Sequence, residues 1–443
     1  MYVLHKALAA RALARCLERE WDRPVVPVFW LAGDDHDWDE ATRTAWWTRT
    51  DQVVEWALQP REPSAPQLPM YREPLPGDLA AARDRLADDL PPGRERDRTI
   101  DWIDRHWSPG ATIHSAFASG IGELLSSLGV AAIDATHPDL KSAQQPLIAG
   151  ALEAAGRIGS VLASATGRDQ QVAVDPSHTL VFFEGSAGRD RLVIDGNGFR
   201  TRRGGERFDP DQLLALLREQ PERFSANVLL RPVVEAALLP TVAYVAGPGE
   251  LRYLREQAAV VYPCLAVTPQ QPVPRWGGMV VDQVARRLLA KLDLTAEQVR
   301  NDDGSLGRRI AASDLPESIP GELDQLRAAV DAAAARLAEV GGEIDAVLPR
   351  AIESRRRRLR FVTDDLDALL IRHHRKRDGL AWGQYRRLRN RLMPLGAPQE
   401  RVIGVAGALG RWGDECLLAA GQAADDWATA AVADAGRIAE ETR

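Results

Sequence analysis

From Val25 to Ala32 the chain is apolar without a charge or an alternation, the pattern of a strand buried on both faces. Gly33 ends the run, and Asp34, Asp35, His36 and Asp37 follow at once. A buried strand that opens straight into titratable groups places them at the carboxyl edge of a parallel sheet, where open α/β folds bind ligands. Leu4, Leu8, Leu13 and Leu17 recur at helical spacing and predict a helix over residues 1–20, packed on that sheet. A short strand is predicted over Asp51–Leu58, helical structure over 97–128, a buried strand over Val130–Asp134 and a long helix over Pro138–Ala165. Strands and helices that alternate in this way make βαβ units.

The period then changes. HTLVFFEG and DRLVID, joined by Ser-Ala-Gly, predict a hairpin within 171–203, and GNGF at 196–199 a second turn. Asp209 caps a helix that has Pro210 at its first position. Thr241–Val245 is an apolar strand that runs into AGPGE, Ala246 to Glu250, and a helix to Gln257. Leu323, Leu326, Val330, Ala333, Leu337, Val340, Ile344, Val347 and Ala351 alternate spacings of three and four. This is a heptad seam, continued to Leu369 through a stutter. RHHRKRDG, 372–379, is expected to turn the chain, and a helix from Trp382 to about Leu392 to return antiparallel.

The expected fold class is therefore α/β: a parallel-sheet core with inserted segments and a C-terminal helical coiled coil at about 322–370. The core is expected in three pieces, 1–58, 105–166 and 222–290. A proline-rich, partly helical insertion at 59–104 and a small β-rich insertion at 167–221 separate them, and residues 291–443 form the helical C-terminal region.

Composition narrows the partners. With 443 residues, 45% of them apolar, the chain can build a sizeable core. A net charge of −7 gives no general attraction to nucleic acid or acidic membranes. The basic runs at 353–360 and 372–377 lack interleaved aromatics and read as solvated flanks of the coil, so no nucleic-acid partner is expected. Cys16, Cys264 and Cys416 lie far apart, which fits a reducing cytoplasm. No apolar run approaches the length of a membrane helix.

The chemistry concentrates in two places. In the first, Asp34, Asp35 and Asp37 read either as caps of a following helix or as a polar pocket in which His36 and a carboxylate handle a proton or an amine. No second His or Cys group with ligand spacing lies nearby, so no protein-bound metal is expected. The second lies at 227–250. Arg231 beside Pro232 in an apolar segment calls for a carboxylate or phosphate partner. Asn227, Glu235, Tyr244, Gly247, Gly249 and Glu250 complete the candidate binding set. Gly247 and Gly249 also read simply as a tight turn.

PVFWLAGDDHDWDEAT resembles the PVFWIASEDHDFEE segment of the cysteine-adding enzymes of bacillithiol biosynthesis. Four further blocks agree in order: 129–141, 209–225, 222–250 and 392–402. The resemblance implies a Rossmann-like core of the nucleotidyl-transferase kind and a coiled coil that makes a homodimer. It implies a ligase that joins cysteine to the amine of glucosaminyl-malate, with ATP-type activation of the cysteine carboxylate and Mg2+ accompanying a nucleotide. His36 would accept the proton of the attacking amine, the three aspartates would hold an ammonium or sugar hydroxyls, Arg231 a carboxylate or phosphate, and Tyr244 with 247–250 the nucleotide or sugar. Family members carry a strand and a glycine-rich TGQQxGLxGGP loop ahead of the first helix; the resemblance starts at Met1, where that loop would end, and activity of the chain as given is expected to depend on that difference. Family members show VVQD where this chain has Val233, Val234, Glu235 and Ala236. A non-catalytic coiled-coil scaffold and a ligase with another amine acceptor remain open.

Overall fold

The computed structural model describes residues 1–165, 172–313, 318–345, 347–376 and 380–441. The chain forms two compact units. The first is Met1–Arg49, Val54–Gly278 and Glu400–Arg443, and the second is Thr50–Val53 and Met279–Gln399.

In the first unit, β1 (Val28–Leu31) opens after two prolines, which cannot donate to a ladder. The predicted strand is thereby shortened at its start. β2 (Arg43–Trp47) and β3 (Val53–Ala57) pair with each other. β2 was not predicted, because its Trp46 and Trp47 belong to an aromatic crowd that carries no strand alternation. β4 (Ala131–Asp134) lies parallel to β1, with Leu31 opposite Asp134. The helix predicted over Pro138–Ala165 is broken into Pro138–Ala143, Gln145–Glu153 and Ala155–Ala165. Pro146 lies in the first turn of the middle piece, where its missing N–H is tolerated but an unbroken helix is not.

The β-rich insertion supplies β5 (His178–Gly185), β6 (Gly188–Asp195), β7 (Gly198–Thr201) and β8 (Arg207–Phe208) to an antiparallel sheet that β9 (Phe224–Ala226), from the following core segment, completes in the order β8-β7-β6-β5-β9. The first hairpin needs Gly188 at φ +77, where a Cβ would collide with the Gln67 backbone. Asp209 caps the helix Pro210–Glu219 through the Gln212 N–H at 2.8 Å. β10 (Ala243–Ala246) and β11 (Gln271–Pro274) form a second parallel pair. The two parallel pairs are not hydrogen-bonded to each other, so the expected common sheet is a set of separate pairs among the described residues. The helix Tyr2–Trp21 packs on the last helix, Glu415–Glu441, where Asp425 takes Arg11 and Arg15 at 3.2 Å. No sequence pattern pointed to this return of the chain end.

The second unit packs Ala285, Leu288, Val299, Leu306, Tyr385, Leu388 and Leu392 in one core. The heptad seam is not one continuous helix. It is a hairpin of Ser318–Ile344 and Leu348–Lys376, with Asp345 accepting the Val347 N–H at 2.9 Å in the turn. Arg327 meets Asp364 and Asp367, and Asp331 meets Arg356 and Arg360, which fixes the antiparallel register. The seam reads through the turn because the spacing survives it; Gly341, set against Leu348 and Ile352, marks the close approach. Of the turn expected at 372–379, the helix continues to Lys376 and the next begins at Leu380; residues 377–379 lie outside those described. Among the described residues no single helix is long and apolar enough to cross a membrane.

Phe183 is 1% exposed, its ring lies 5.3 Å from Phe208 and 5.1 Å from Phe224, and it belongs to the hydrophobic core cluster that also holds Leu180, Leu213 and Val233. Truncating it leaves a cavity worth about 3–5 kcal/mol. Phe183→Ala is therefore expected to lower the urea midpoint of the β-rich unit clearly, and an unchanged midpoint would show that this cluster does not carry its stability.

Candidate functional site

β1 ends at Leu31, and the chain turns sharply at Gly33. A Cβ there would fall 2.6 Å from the His114 ring, so only glycine fits. His114 is held by Asp134 at 2.9 Å, from the end of the neighbouring strand. The four titratable residues that follow then separate. Asp34 turns inward to Lys141 Nζ at 2.6 Å, and the same ammonium donates to the Phe224 carbonyl at 2.9 Å. Asp37 caps the short helix Trp38–Ala41 through the Glu40 N–H at 3.1 Å. Asp35 accepts the His36 N–H at 2.7 Å and stays half exposed.

Capping therefore accounts for Asp37, and an internal ion pair for Asp34. Asp35 is the carboxylate left facing open space. Burial works to raise its pKa, but the Arg189 guanidinium, the His36 N–H and Arg231 outweigh it and hold the carboxyl below the usual range.

His36 is placed by a residue that sequence reasoning did not single out. Arg189, 7% exposed on β6, puts Nη1 2.8 Å from His36 Nδ1. Burial first, and Arg189 second, depress the imidazole pKa to about 4. A guanidinium only donates, so the Nδ1 lone pair is spent. Any part for His36 in handling the amine proton would fall to Nε2, the nitrogen away from Arg189.

The second cluster lies on the helix Arg231–Leu238 and at the end of β10. Asn227 Oδ1 accepts the Leu229 and Leu230 N–H groups at 3.0 and 2.9 Å, in the turn that leads into that helix. Glu235 is 6% exposed, 3.8 Å from Arg231 Nε, and its Oε1 has no hydrogen-bond partner among the described residues. Burial pushes its pKa up to about 7, against the pull of Arg231. Burial likewise raises Tyr244, with Glu235 adding to it. Gly247 is the N-cap of the helix Pro248–Glu256 and Gly249 lies in its first turn, so neither forms a left-handed turn. Glu250 turns back to accept the Gly247 N–H at 2.7 Å and pairs with Lys6 at 2.5 Å. That N–H is thus not open to a phosphate.

Two cavities join these groups. The larger, about 1400 Å3, is lined by β1 and β10 and by Asp35, Asp37, Arg231, Glu235, Tyr244, Gly247, Gly249, Glu250, Lys6 and Arg401. The smaller, about 200 Å3, is lined by Asp34, Asp35, His36, Arg189, Arg191, Asn227 and Arg231. Asp35, Arg231 and Trp30 line both. The two sequence clusters therefore share a boundary, although β1 and β10 share no ladder.

Sequence reasoning missed Lys6, Lys141, Arg189 and Arg401. Lys141, in HPDLKSAQQ, and Arg189, beside Asp190 and Arg191, stand among other polar residues and had no distinguishing signal. Arg401 comes from the chain end and had none. Among the described residues no group of three or more His, Cys, Asp or Glu side chains could hold a metal ion. Asp34 and Asp37 point to separate partners, so the acidic cluster does not fit a protein-bound metal.

The raised pKa of Glu235 carries a sign for stability. Between its ordinary value near 4.5 and about 7, the folded state binds more protons than the unfolded state, so stability falls as pH rises. Chemical denaturation is expected to show a slope of this sign between pH 4.5 and 7 that weakens in Glu235→Gln. Equal slopes in both proteins would show that Glu235 titrates normally.

Family comparison agrees with this architecture in two segments. Residues 1–267 match the model of "Bacillithiol biosynthesis BshC, N-terminal Rossmann-like domain", and residues 278–423 match that of the C-terminal coiled-coil domain. Proteins named "Putative cysteine ligase BshC" are similar along most of the chain. The one from Heliobacterium modesticaldum is 28% identical over 96% of this chain and 79% of its own length. That from Koribacter versatilis is 28% identical over 92% and 76%, and that from Staphylococcus carnosus 27% over 91% and 76%. With the Rossmann-like domain and the coiled-coil domain matched in order, the chain belongs to the BshC family of bacillithiol biosynthesis.

Proposed function

We propose that the chain is a ligase that joins the carboxylate of cysteine to the amine of glucosaminyl-malate, the last step of bacillithiol biosynthesis. The observation that carries this reading is the larger cavity, where the carboxylates Asp35 and Glu235 and the cations Arg231, Lys6 and Arg401 line one space of about 1400 Å3. That volume exceeds what one small ligand needs, and the mixture of charges suits a zwitterion together with an anionic sugar conjugate.

Forming an amide from a carboxylate and an ammonium is uphill in water, so the carboxylate must be activated. ATP would do this by transferring a phosphoryl or adenylyl group to the cysteine carboxylate, releasing ADP or pyrophosphate. The sugar amine then attacks the acyl carbon, the C–N bond forms, the phosphate or AMP leaves, and the amine gives up a proton. Glu235 is the base suited to that proton, because burial holds its pKa at about 7, where a carboxylate both accepts and releases protons at neutral pH. Asp35, held anionic by Arg189, would orient an ammonium, and Arg231 a carboxylate or phosphate oxygen.

The direct experiment is mass-spectrometric detection of cysteinyl-glucosaminyl-malate from cysteine, glucosaminyl-malate and ATP. Glu235→Gln is expected to lower kcat by about 10²–10⁴-fold, and Arg231→Ala to raise KM for an anionic substrate. Product formation at parental rates in both variants would remove these assignments. If no product forms and neither ATP, ADP nor cysteine raises the melting temperature, the scaffold reading is favoured.

The helical hairpin also supports a homodimer. Leu337, Val340, Ile344, Val347, Phe361 and Val362 are 57–77% exposed along it, an apolar face that a second copy would cover. Sedimentation is expected to give a dimer, and Val340→Asp with Phe361→Asp a monomer. A monomeric parent would remove the dimer.

A further inference from the structure

His36 is an imidazole of the smaller cavity whose contacts determine where its proton sits. Arg189 Nη1 lies 2.8 Å from Nδ1. Arginine has five N–H donors and no acceptor, so Nδ1 accepts, and the single proton of the neutral ring is on Nε2. Arg189 has little freedom to relax this arrangement. Its Nε donates to Ser225 Oγ at 2.9 Å and its Nη2 to the Ala226 carbonyl at 3.2 Å. Its guanidinium also lies over the Phe182 ring at 4.0 Å. Phe182 in turn lies 5.7 Å from the His36 ring.

The charges around the ring oppose a second proton. Arg189, Arg203 and Arg61 all act to lower its pKa, and Asp35, whose Oδ1 is 3.7 Å from Nδ1, acts to raise it. Arg61 comes from the loop after β3, Arg203 from the turn after β7, and Arg189 from β6. Cations therefore face the ring from three segments. Nε2 has no hydrogen-bond partner among the described residues. The ring lines the smaller cavity, together with the guanidinium-bearing residues Arg191 and Arg231.

We infer that His36 is a neutral Nε2–H donor to an anionic oxygen, carboxylate or phosphoryl, bound in the smaller cavity, and that Arg189 is the positioning residue that holds it in that tautomer. What the oxygen belongs to rests on the ligase reading; the tautomer does not. In an acyl transfer such a donor stabilises charge that builds on oxygen, as oxyanion-hole groups do. No proton leaves His36, so the step needs no other reactant.

The test is 1H–15N correlation on the full chain with 15N-labelled histidine, the His36 signals being identified by their loss in His36→Gln. The expected spectrum is a neutral ring with the proton on Nε2 from pH 8 down to pH 5. A cationic ring at pH 6, or a proton on Nδ1, would overturn the proposal. Adding inorganic phosphate or L-malate separates the two sources of oxygen, and the Nε2–H signal is expected to move with at least one. No movement with either would overturn the anion assignment.

In the cysteine-transfer assay, glutamine at 36 offers an N–H near the same place. His36→Gln is expected to keep activity to within about tenfold, and His36→Ala to lose about 10²–10³-fold. Equal large losses in both would contradict the donor role. Arg189→Lys, which keeps the charge but not the fork, is expected to give a mixture of tautomers. An unchanged His36 spectrum in it would remove Arg189 from the account. A parent with the expected spectrum and no transfer activity would remove the ligase reading alone.

Discussion

Two buried cations hold the polar loop after β1 in place, and both are anchored on the same three-residue strand. Lys141 is 1% exposed; it binds Asp34 and the carbonyl of Phe224. Arg189 is 7% exposed; it binds His36, Ser225 Oγ and the Ala226 carbonyl. A buried cation costs several kcal/mol unless its partners are well placed. β9 therefore constrains the loop from both sides, and the β-rich insertion is part of the site's support rather than an ornament on the core. Removing either partner would leave an uncompensated charge inside, so the geometry of Asp34, Asp35 and His36 is tied to the packing of Phe183 and Phe224 beneath it.

Much of the fold was legible because local patterns and tertiary burial agree. The apolar run to Ala32, the hairpin around Gly188 and the Asp209-Pro210 helix start each carry their own signal, and each is found. Failures fall where a tertiary partner decides. Pro146 breaks a helix that periodicity carries through. The heptad spacing survives a turn at Asp345 that doubles the coil back on itself. The return of Glu400–Arg443 to the first unit has no local signature at all.

The site was legible as residue types more than as roles. Asp34, Asp35, His36 and Asp37 stand adjacent in sequence but take four different partners, because the turn at Gly33 and Asp34 sends their side chains in different directions. A histidine beside aspartates suggests a base; an arginine brought in from β6, 153 positions later, occupies its Nδ1. Glu235 reads as a candidate binding residue in sequence, and only its burial shows that its pKa is pushed up to about 7. Where charge, burial and distance combine, chemistry is written in contacts that no window of sequence contains.

The central claim is that the acidic loop and the Arg231 helix serve one continuous reaction space. Trp30 lines both cavities, so its emission reports on each. The direct measurement is the fluorescence difference between the parent and Trp30→Phe during titration with cysteine and, separately, with glucosaminyl-malate. A saturable change in the Trp30 component is expected with both substrates. A Trp30 signal that responds to neither, while the substrates bind elsewhere on the chain, would contradict it.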